Sequence, residues 1–159
     1  MRIIVFSDSH GRVGPIKKIY KCHTGADYYI HLGDGYTDMC AMRSRYPEIK
    51  LLSVKGNTDF TSSDNDSAIL ELLNTRIFYT HGHLFSAKAG LEKLQIYAKS
   101  VGAKIVLFGH THKQFYDFKD GVHYLNPGNA AEQGYCQFAI IDITETSIAC
   151  TLSKIDSRF

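Results

Sequence analysis

Short apolar runs recur through the first two-thirds of the chain, and each has the length of a buried strand. Most of these runs are rich in β-branched or aromatic side chains, which favour strands over helices. They occupy residues 3–6, 28–30, 51–54, 77–79 and 105–108. The pattern therefore predicts five buried strands. A further strand over residues 67–73 should pair with the fourth run through a turn at Asn74 and Thr75.

Two helices are predicted between these strands from the spacing of apolar positions. Apolar side chains four and three residues apart form one amphipathic stripe, which consists of Ala87, Leu91, Leu94, Ala98 and Val101. A weaker stripe spans residues 13–20 and begins near Pro15, a residue that suits a first helical turn. Both stripes predict helices with one face against a sheet.

The last third of the chain changes to a pattern of β-hairpins. One hairpin is predicted around residues 119–121, between apolar stretches at 115–118 and 122–125. Another should join residues 138–143 and 148–152. Strands alternate with helices at the front, and antiparallel strands follow at the back. This order predicts an α/β fold of two sheets packed face to face, with helices on the outside.

Composition narrows the class of protein without identifying it. The 159 residues suffice for one core, so residues 1–159 are treated as a single domain. A net charge of +2 indicates no strong attraction to nucleic acid or to a membrane surface, and no apolar run is long enough to span a bilayer. The four cysteines form no C-x-x-C pair, and the N-terminal apolar run is too short for a signal-peptide core. We therefore expect a reduced, cytoplasmic protein, with homo-oligomer formation left open.

Aspartate, histidine or asparagine follows each of the five predicted strands, with glycine close by. These candidate ligands are Asp8, His10, Asp34, Asn57, His81, His110 and His112. In open α/β sheets, ligands bind beyond the carboxyl ends of the strands. One such residue alone is usually part of a turn or of the core. Five sets at five successive strand ends favour a shared site.

The chemistry of this set favours transition metals. Four imidazoles are too many nitrogens for a Mg²⁺ or Ca²⁺ site, and they suit Mn, Fe, Co, Ni or Zn. Seven ligands also exceed the roughly four that one zinc-like ion takes, so two ions that share one carboxylate fit better. His23, His31 and His123 have no such neighbours and are predicted to be structural, whereas His83 stays ambiguous.

The motifs, in this order, resemble those of the calcineurin-like metallophosphoesterase superfamily, and especially its small bacterial and archaeal phosphodiesterase branch. They read SDSHG, HLGDG, GNTD, THGH and GHTH, and NPGN follows them at residues 126–129. The resemblance spans nearly the whole chain. It implies a four-layer α/β/β/α sandwich of two mixed β-sheets, and a small phosphoester as the substrate.

The resemblance also implies a role for each site residue. One ion would be held by Asp8, His10, Asp34 and His112. The other would be held by Asp34, Asn57, His81 and His110, so that Asp34 bridges the two. The implied catalytic residues are Asp34, Asn57, Asp59 and His83. The two ions should be divalent transition metals, with Mn expected and Fe, Ni, Co or Zn as alternatives.

Two departures from the family pattern concern the proton donor and the rim of the site. Larger enzymes of the family carry histidine, and the small branch often carries cysteine, where this chain has Thr58. A threonine hydroxyl is a very weak acid, and His83 is the only nearby substitute donor that the sequence offers. The closing motif usually ends in serine, whereas here it ends in Asn129.

These features together predict a metal-dependent phosphodiesterase that attacks small phosphodiesters with a metal-bridging hydroxide. No G-x-S-x-G elbow supports Ser9 as a nucleophile, and no P-loop is present. Two alternatives stay open. The retromer scaffold subunit resembles this family in fold but has weak or no catalysis, and a phosphomonoesterase would differ only in its substrate. The complete ligand set favours an enzyme.

Overall fold

The computed structural model describes residues 1–156, which contain ten strands and three helices. The strands are β1 (Arg2–Phe6), β2 (Tyr28–His31), β3 (Leu51–Ser53), β4 (Ser67–Leu72), β5 (Thr75–Thr80), β6 (Ile105–Phe108), β7 (Gln114–Lys119), β8 (Val122–Pro127), β9 (Tyr135–Ile143) and β10 (Ile148–Asp156). The helices are α1 (Val13–Cys22), α2 (Tyr36–Arg45) and α3 (Glu92–Val101), and a short 3-10 helix lies at His83–Phe85. The five predicted apolar runs correspond to β1, β2, β3, β5 and β6.

The strands form two mixed five-stranded sheets. The first sheet has the order β10-β9-β1-β2-β3, in which β1, β2 and β3 are parallel and β9 is antiparallel to β1. The second has the order β4-β5-β6-β8-β7, in which β5, β6 and β8 are parallel. Each sheet takes one of the predicted C-terminal hairpins at an edge. The parallel strands place the carboxyl ends of β1, β2 and β3 side by side, and likewise those of β5 and β6.

Alternate side chains of the central strands face opposite layers. In β1, Ile3 and Val5 pack between the two sheets, while Ile4 and Phe6 pack against α1 and α2. The helices α1 and α2 bury Ile16, Ile19, Met39 and Met42 on that outer face. On the other side, Leu94 and Ala98 of α3 pack on the outer face of the second sheet. The four-layer α/β/β/α sandwich is therefore confirmed.

Two predicted turns lie at slightly different residues in the structure, because the backbone geometry of a two-residue turn fixes its position. The β4–β5 turn lies at Leu73 and Asn74, one residue earlier than predicted, and Leu72 pairs with Thr75. The β7–β8 turn is confined to Asp120 and Gly121. All four turn residues have positive φ angles. Two-residue turns with this geometry match the twist of the strands they join.

The helices differ more from the sequence pattern. Helix α3 begins at Glu92 rather than at Ala87, because Ser86 has a left-handed backbone with a φ of 56° and turns occupy the residues up to Leu91. Ala87 still packs with the buried face of α3, so its apolar position belongs to the same core. Helix α2 was not predicted. Its buried residues include Asp38 as well as methionines, so the apolar stripe is weak.

The four cysteines, Cys22, Cys40, Cys136 and Cys150, are all unpaired, as the sequence predicts. Within residues 1–156, none of the helices has both the length and the apolar character needed to cross a membrane.

The packing of α3 gives a direct test of the outer layer. We expect Leu94→Ala to lower the free energy of unfolding by about 2–5 kcal/mol, since Leu94 is fully buried. Ile96 lies on the same helix and is 71% exposed, so Ile96→Ala should change it by no more than about 0.5 kcal/mol. Denaturant titration measures both, and equal losses would contradict the placement of α3.

Candidate metal centre

The seven candidate ligands meet at one end of the sandwich, where the carboxyl ends of the central strands of both sheets lie together. Backbone hydrogen bonds tie the first two loops to each other: the Asp8 amide donates to the Gly33 carbonyl at 3.0 Å and the His10 amide to the Asp34 carbonyl at 2.9 Å. In the second sheet, the Gly109 amide donates to the His81 carbonyl at 3.0 Å. Within each sheet, these loops are therefore held to each other by backbone hydrogen bonds.

Five of the seven candidate ligands have a left-handed backbone, which residues other than glycine rarely adopt. They are Asp8 (φ 57°), His10 (45°), Asp34 (57°), His110 (67°) and His112 (59°). Such conformations cost about 1–3 kcal/mol each and persist only where the surrounding structure holds them. Strain concentrated on the candidate ligands is typical of a functional site.

The first group of candidate ligands consists of Asp8, His10 and His112, whose ligand atoms all lie within 4.8 Å of one another. Asp8 Oδ1 is 3.1 Å from His112 Nε2 and 4.0 Å from His10 Nε2, and the two nitrogens are 3.4 Å apart. Asp8 is fully buried. Its Oδ1 accepts no well-directed hydrogen bond from the described residues. A buried carboxylate oxygen without a donor requires a positive charge nearby.

The second group consists of Asp8, Asp34 and His81, all buried and again within 4.8 Å. His81 Nε2 is 3.5 Å from Asp34 Oδ2 and 3.9 Å from Asp8 Oδ1. Asn57 Oδ1 lies 3.1 Å from the same nitrogen. The ring of His110 is 5.0 Å from that of His81, and the His110 amide donates to Asp8 Oδ2 at 3.1 Å. Asp8 thus belongs to both groups, and Asp34 to one.

The orientation of His81 is set by the backbone. Its Nδ1 lies 2.7 Å from the Leu32 carbonyl oxygen, to which it donates a hydrogen bond. The Nε2 atom therefore faces the side-chain oxygens of Asp8, Asp34 and Asn57. The lone pair on His81 Nε2 and the oxygens of these three side chains would repel one another unless a proton or a cation lies among them. A backbone carbonyl that orients a histidine in this way is a common second partner of metal-binding histidines.

The charges of the site favour a cation. Burial raises the pKa of Asp8, but the neighbouring His112 and His81 outweigh it and hold that pKa below its ordinary value. The pKa of Asp34 is likewise lowered against burial, by His81 and by the Thr58 amide, which donates to Oδ1 at 2.9 Å. Burial lowers the pKa of His81, but Asp34 and Asp8 raise it overall. Two ionised carboxylates among imidazoles fit a divalent transition metal.

Asp59 fastens the loop after β3 to the start of α2. Its carboxylate accepts hydrogen bonds from four backbone amides, those of Asp34 (2.7 Å), Gly35 (3.0 Å), Tyr36 (2.9 Å) and Gly56 (2.8 Å). A Cβ atom at Gly56 would overlap Asp34 Oδ1, so only glycine allows this close approach. Asp59 is one of the residues predicted to be catalytic, and in the structure these hydrogen bonds hold the backbone of Asp34 in place.

Two buried polar residues that the sequence analysis did not assign to the site support its loops. His31 Nε2 lies 3.2 Å from Ser9 Oγ, and its Nδ1 accepts a hydrogen bond from the Gly33 amide at 3.2 Å. Asn126 Nδ2 donates to the Gly109 carbonyl at 2.8 Å. His31 was predicted to be structural, and it connects the loops after β1 and β2. The NPGN motif was a signal for Asn126, and His31 is the first residue of the HLGDG motif.

The remaining candidate residues lie around the centre. Thr58 lines a recess of about 190 Å³ with His10 and Asp34. His83 lines a different recess with Asn57, on the other side of the loop that carries Thr58. The two candidate proton donors therefore face different spaces.

Two histidines predicted to be structural pack away from the candidate ligands. The ring of His23 lies 5.3 Å from that of Phe138, and His123 Nδ1 lies 3.0 Å from the Tyr116 hydroxyl. Asn129, the departure in the closing motif, accepts a hydrogen bond from the Ala131 amide at 2.7 Å and closes a turn.

The sequence is similar to known proteins over most of its length. Residues 1–146 match the model of the calcineurin-like phosphoesterase superfamily domain. The probable metallophosphoesterase YsnB of Bacillus subtilis (strain 168) is 33% identical over 131 residues, which cover 81% of this chain and 75% of that protein. Phosphodiesterase YfcE of Escherichia coli (strain K12) is 26% identical over 158 residues, with 82% and 80% covered.

Solved structures have the same architecture. A predicted phosphoesterase from Streptococcus pneumoniae TIGR4 superposes with a TM-score of 0.82 at 29% identity, over 98% of this chain and 89% of that chain. Vps29 from Entamoeba histolytica, in complex with Zn²⁺, superposes with a TM-score of 0.78 at 21% identity, over 99% and 100%. The second likeness concerns the fold alone.

We expect Asp59→Asn to lower the free energy of unfolding by about 2–4 kcal/mol, because an amide cannot accept all four backbone hydrogen bonds and would direct N–H groups at donors. Asp66→Asn is the matched control. Asp66 is partly exposed, and its ion pair within residues 1–156 is with Lys55 at 3.5 Å, so the loss should stay below about 1 kcal/mol. Denaturant titration compares the two, and equal effects would contradict the positioning role.

His31 should make stability depend on pH. Burial lowers the pKa of His31 from 6.5 to about 4. Between these values the unfolded chain binds more protons than the folded chain, so stability falls as pH falls through this window. The metal-free parent should therefore lose about 3 kcal/mol more than His31→Gln, which cannot gain a proton, between neutral pH and pH 4. Denaturant titrations at several pH values measure the free energy of unfolding of both proteins. If the two free energies change in parallel with pH, His31 takes up a proton as readily in the folded chain as in the unfolded chain.

Proposed function

The chain belongs to the calcineurin-like phosphoesterase superfamily, and from this premise we propose that it hydrolyses small phosphodiesters with two divalent metal ions. The observation that best supports this is the buried oxygen of Asp8, which accepts no well-directed hydrogen bond from residues 1–156 and lies where both candidate ligand groups meet. Six further nitrogen and oxygen ligands surround it. A scaffold protein has no need for this complete, strained and costly set.

The division of ligands follows the family resemblance. One ion would be held by Asp8, His10, Asp34 and His112. The other would be held by Asp34, Asn57, His81 and His110. Asp34 is the proposed bridge, and the place of Asp8 in both ligand groups makes Asp8 the rival for that role. The mixed nitrogen and oxygen donors suit Mn²⁺, with Fe, Ni, Co or Zn as alternatives.

Divalent ions held in this way would supply an activated water at neutral pH and would offset charge on the phosphoryl oxygens. In the reaction a water oxygen bonds to phosphorus, the bond from phosphorus to the leaving oxygen breaks, and a proton moves to that oxygen. The chain contributes rigid placement. Asp59 holds the backbone amide of Asp34 in position, and the Thr58 amide donates to the Asp34 side chain. His31 joins the two loops that carry Asp8 and Asp34.

The proton for the leaving oxygen would come from His83 rather than from Thr58. His83 shares a recess with Asn57, a proposed ligand, and its ring lies 5.4 Å from that of His81. The hydroxyl of Thr58 is too weak an acid to donate near neutral pH. General acid catalysis is worth about 10²–10⁴-fold, so the choice of donor has a measurable effect.

Two alternatives differ from this proposal in what they predict. The fold is shared with Vps29, which keeps a protein-interaction scaffold in consideration. A phosphomonoesterase would use the same ligands on a substrate with one ester arm. The proposed cytoplasmic location is supported by four unpaired cysteines.

Hydrolysis of bis(4-nitrophenyl) phosphate and of 4-nitrophenyl phosphate separates these functions. With Mn²⁺, Fe²⁺, Ni²⁺ or Zn²⁺ added to the metal-free protein, we expect the diester to react faster than the monoester. His123→Ala serves as the control variant, because His123 contacts none of the candidate ligands, and its activity should match the parent. Faster hydrolysis of the monoester than of the diester would indicate a phosphomonoesterase. No hydrolysis of either ester with any metal would favour a protein-interaction scaffold.

The bridging role predicts the effect of Asp34→Asn. Loss of the bridge should lower kcat/KM on the diester by about 10³-fold or more, which corresponds to about 4 kcal/mol or more of transition-state stabilisation. Asp8→Asn is measured beside it, together with metal content. If Asp34→Asn still binds two ions while Asp8→Asn binds none, the bridge is Asp8.

Metal content tests the number of ions without any assay of activity. Protein that has been stripped, reloaded with Mn²⁺ and dialysed should contain two ions per chain by elemental analysis. The basis is that seven ligands exceed what one ion can coordinate. A plateau at one ion per chain, or at none, would contradict the binuclear proposal.

A further inference from the structure

A cavity of about 510 Å³ opens beside the loop that carries two proposed metal ligands. Thr111, which lies between His110 and His112 in the chain, is part of its wall. The cavity is larger than the recess of about 190 Å³ beside Thr58, and its volume suits an organic group the size of an aromatic ring with substituents.

The floor of this cavity is apolar and its rim is cationic. Ala87, Leu91, Phe108 and Phe115 form the apolar part, in which the two phenylalanine rings lie 6.0 Å apart. Lys88 and Lys113 stand at the rim. Both lysines are exposed, and neither forms an ion pair with any of residues 1–156. No acidic side chain of the described residues lines this cavity.

Acidic side chains are among the residues that line the other two recesses around the centre. The one beside Thr58 contains Asp34 and Asp59. The one beside His83 contains Asp59 and Asp66, with Lys55 already paired to Asp66. The cavity between Lys88 and Lys113 combines two exposed lysines with no acidic side chain among the described residues that line it, so it attracts a ligand arm that carries a negative charge.

We propose that this cavity, which we call the lysine-rimmed cavity, binds the ester arm that stays on phosphorus, and that it selects an aromatic arm bearing a second anionic group such as a carboxylate or a phosphate. This inference rests on the proposed phosphodiesterase function. The leaving arm belongs beside the proton donor His83, in another recess, so the arm in the lysine-rimmed cavity is the retained one. The ring would pack on Leu91 and Phe115, with its charge between the two lysines.

Three diesters with the same 4-nitrophenyl leaving group test this selection. The retained arm is 4-carboxyphenyl, 4-carbamoylphenyl or methyl, so the first two differ in charge and the third lacks a ring. For the parent we expect kcat/KM for the carboxylate to exceed that of the amide by about threefold to tenfold, as two exposed ion pairs allow. The aryl amide should exceed the methyl ester by about tenfold or more, as burial of an apolar group predicts.

Variants assign these preferences to the cavity. In the double variant Lys88→Ala/Lys113→Ala, the preference of carboxylate over amide should fall to about one. In Leu91→Trp, which fills the floor, the preference of aryl over methyl should be lost, and Phe115→Ala provides a second test should Leu91→Trp fail to fold. Lys99→Ala is the matched control, because Lys99 is also exposed but lines a separate cavity with Lys104 and Tyr124, and all preferences should match the parent.

Binding of the products gives a readout that does not depend on turnover. Calorimetry with 4-carboxyphenyl phosphate and 4-carbamoylphenyl phosphate, on metal-loaded protein, should show the same preference in the parent and its loss in Lys88→Ala/Lys113→Ala. If no diester is hydrolysed but this binding preference is present, the proposed function fails and the site stands. Equal affinities for the two phosphates, or a preference that survives removal of both lysines, would overturn the inference.

Discussion

The buried carboxylate of Asp8 is the group on which the rest of the site depends. It follows the central strand of the first sheet at its carboxyl end, and one of its oxygens accepts no well-directed hydrogen bond in the part of the chain that the structure describes. An ionised oxygen in such a place is unfavourable unless positive charge is close. The Nε2 atoms of His112 and His81 lie 3.1 Å and 3.9 Å from Asp8 Oδ1. Both histidines follow strands of the second sheet, so side chains from the two sheets meet at Asp8.

The fold tolerates this arrangement because the loops are held by backbone hydrogen bonds rather than by their own conformational preferences. Five candidate ligands have left-handed backbones, and the strands beneath them bury apolar side chains in the core between the sheets. Asp59 and His31 then bind amide groups of the loops directly. The packed core stabilises the molecule, and part of this stabilisation offsets the cost of the strained backbones that bring the candidate ligands together.

The surroundings of the centre differ in charge from one side to the other. Two recesses contain aspartates, whereas the lysine-rimmed cavity combines an apolar floor with two lysines that form no ion pair with residues 1–156. A phosphodiester has two ester arms. In the inference drawn above, the choice between arms would come from residues outside the candidate ligands, in the turn before α3 and in the β6–β7 connection.

The sequence by itself determined the five central strands, the four-layer fold and the candidate ligands, because strand periodicity and ligand chemistry are local properties that neighbouring residues express. The extent of α3, the existence of α2, the clamp made by Asp59 and the contacts of His31 depended on the tertiary structure. Asp59 reaches amides 23 to 25 residues earlier in the chain, and His31 reaches Ser9 across 22 residues. The lysine-rimmed cavity likewise joins Lys88 to Lys113. Such contacts leave no periodic signal, since they depend on where the packed sheets place each loop.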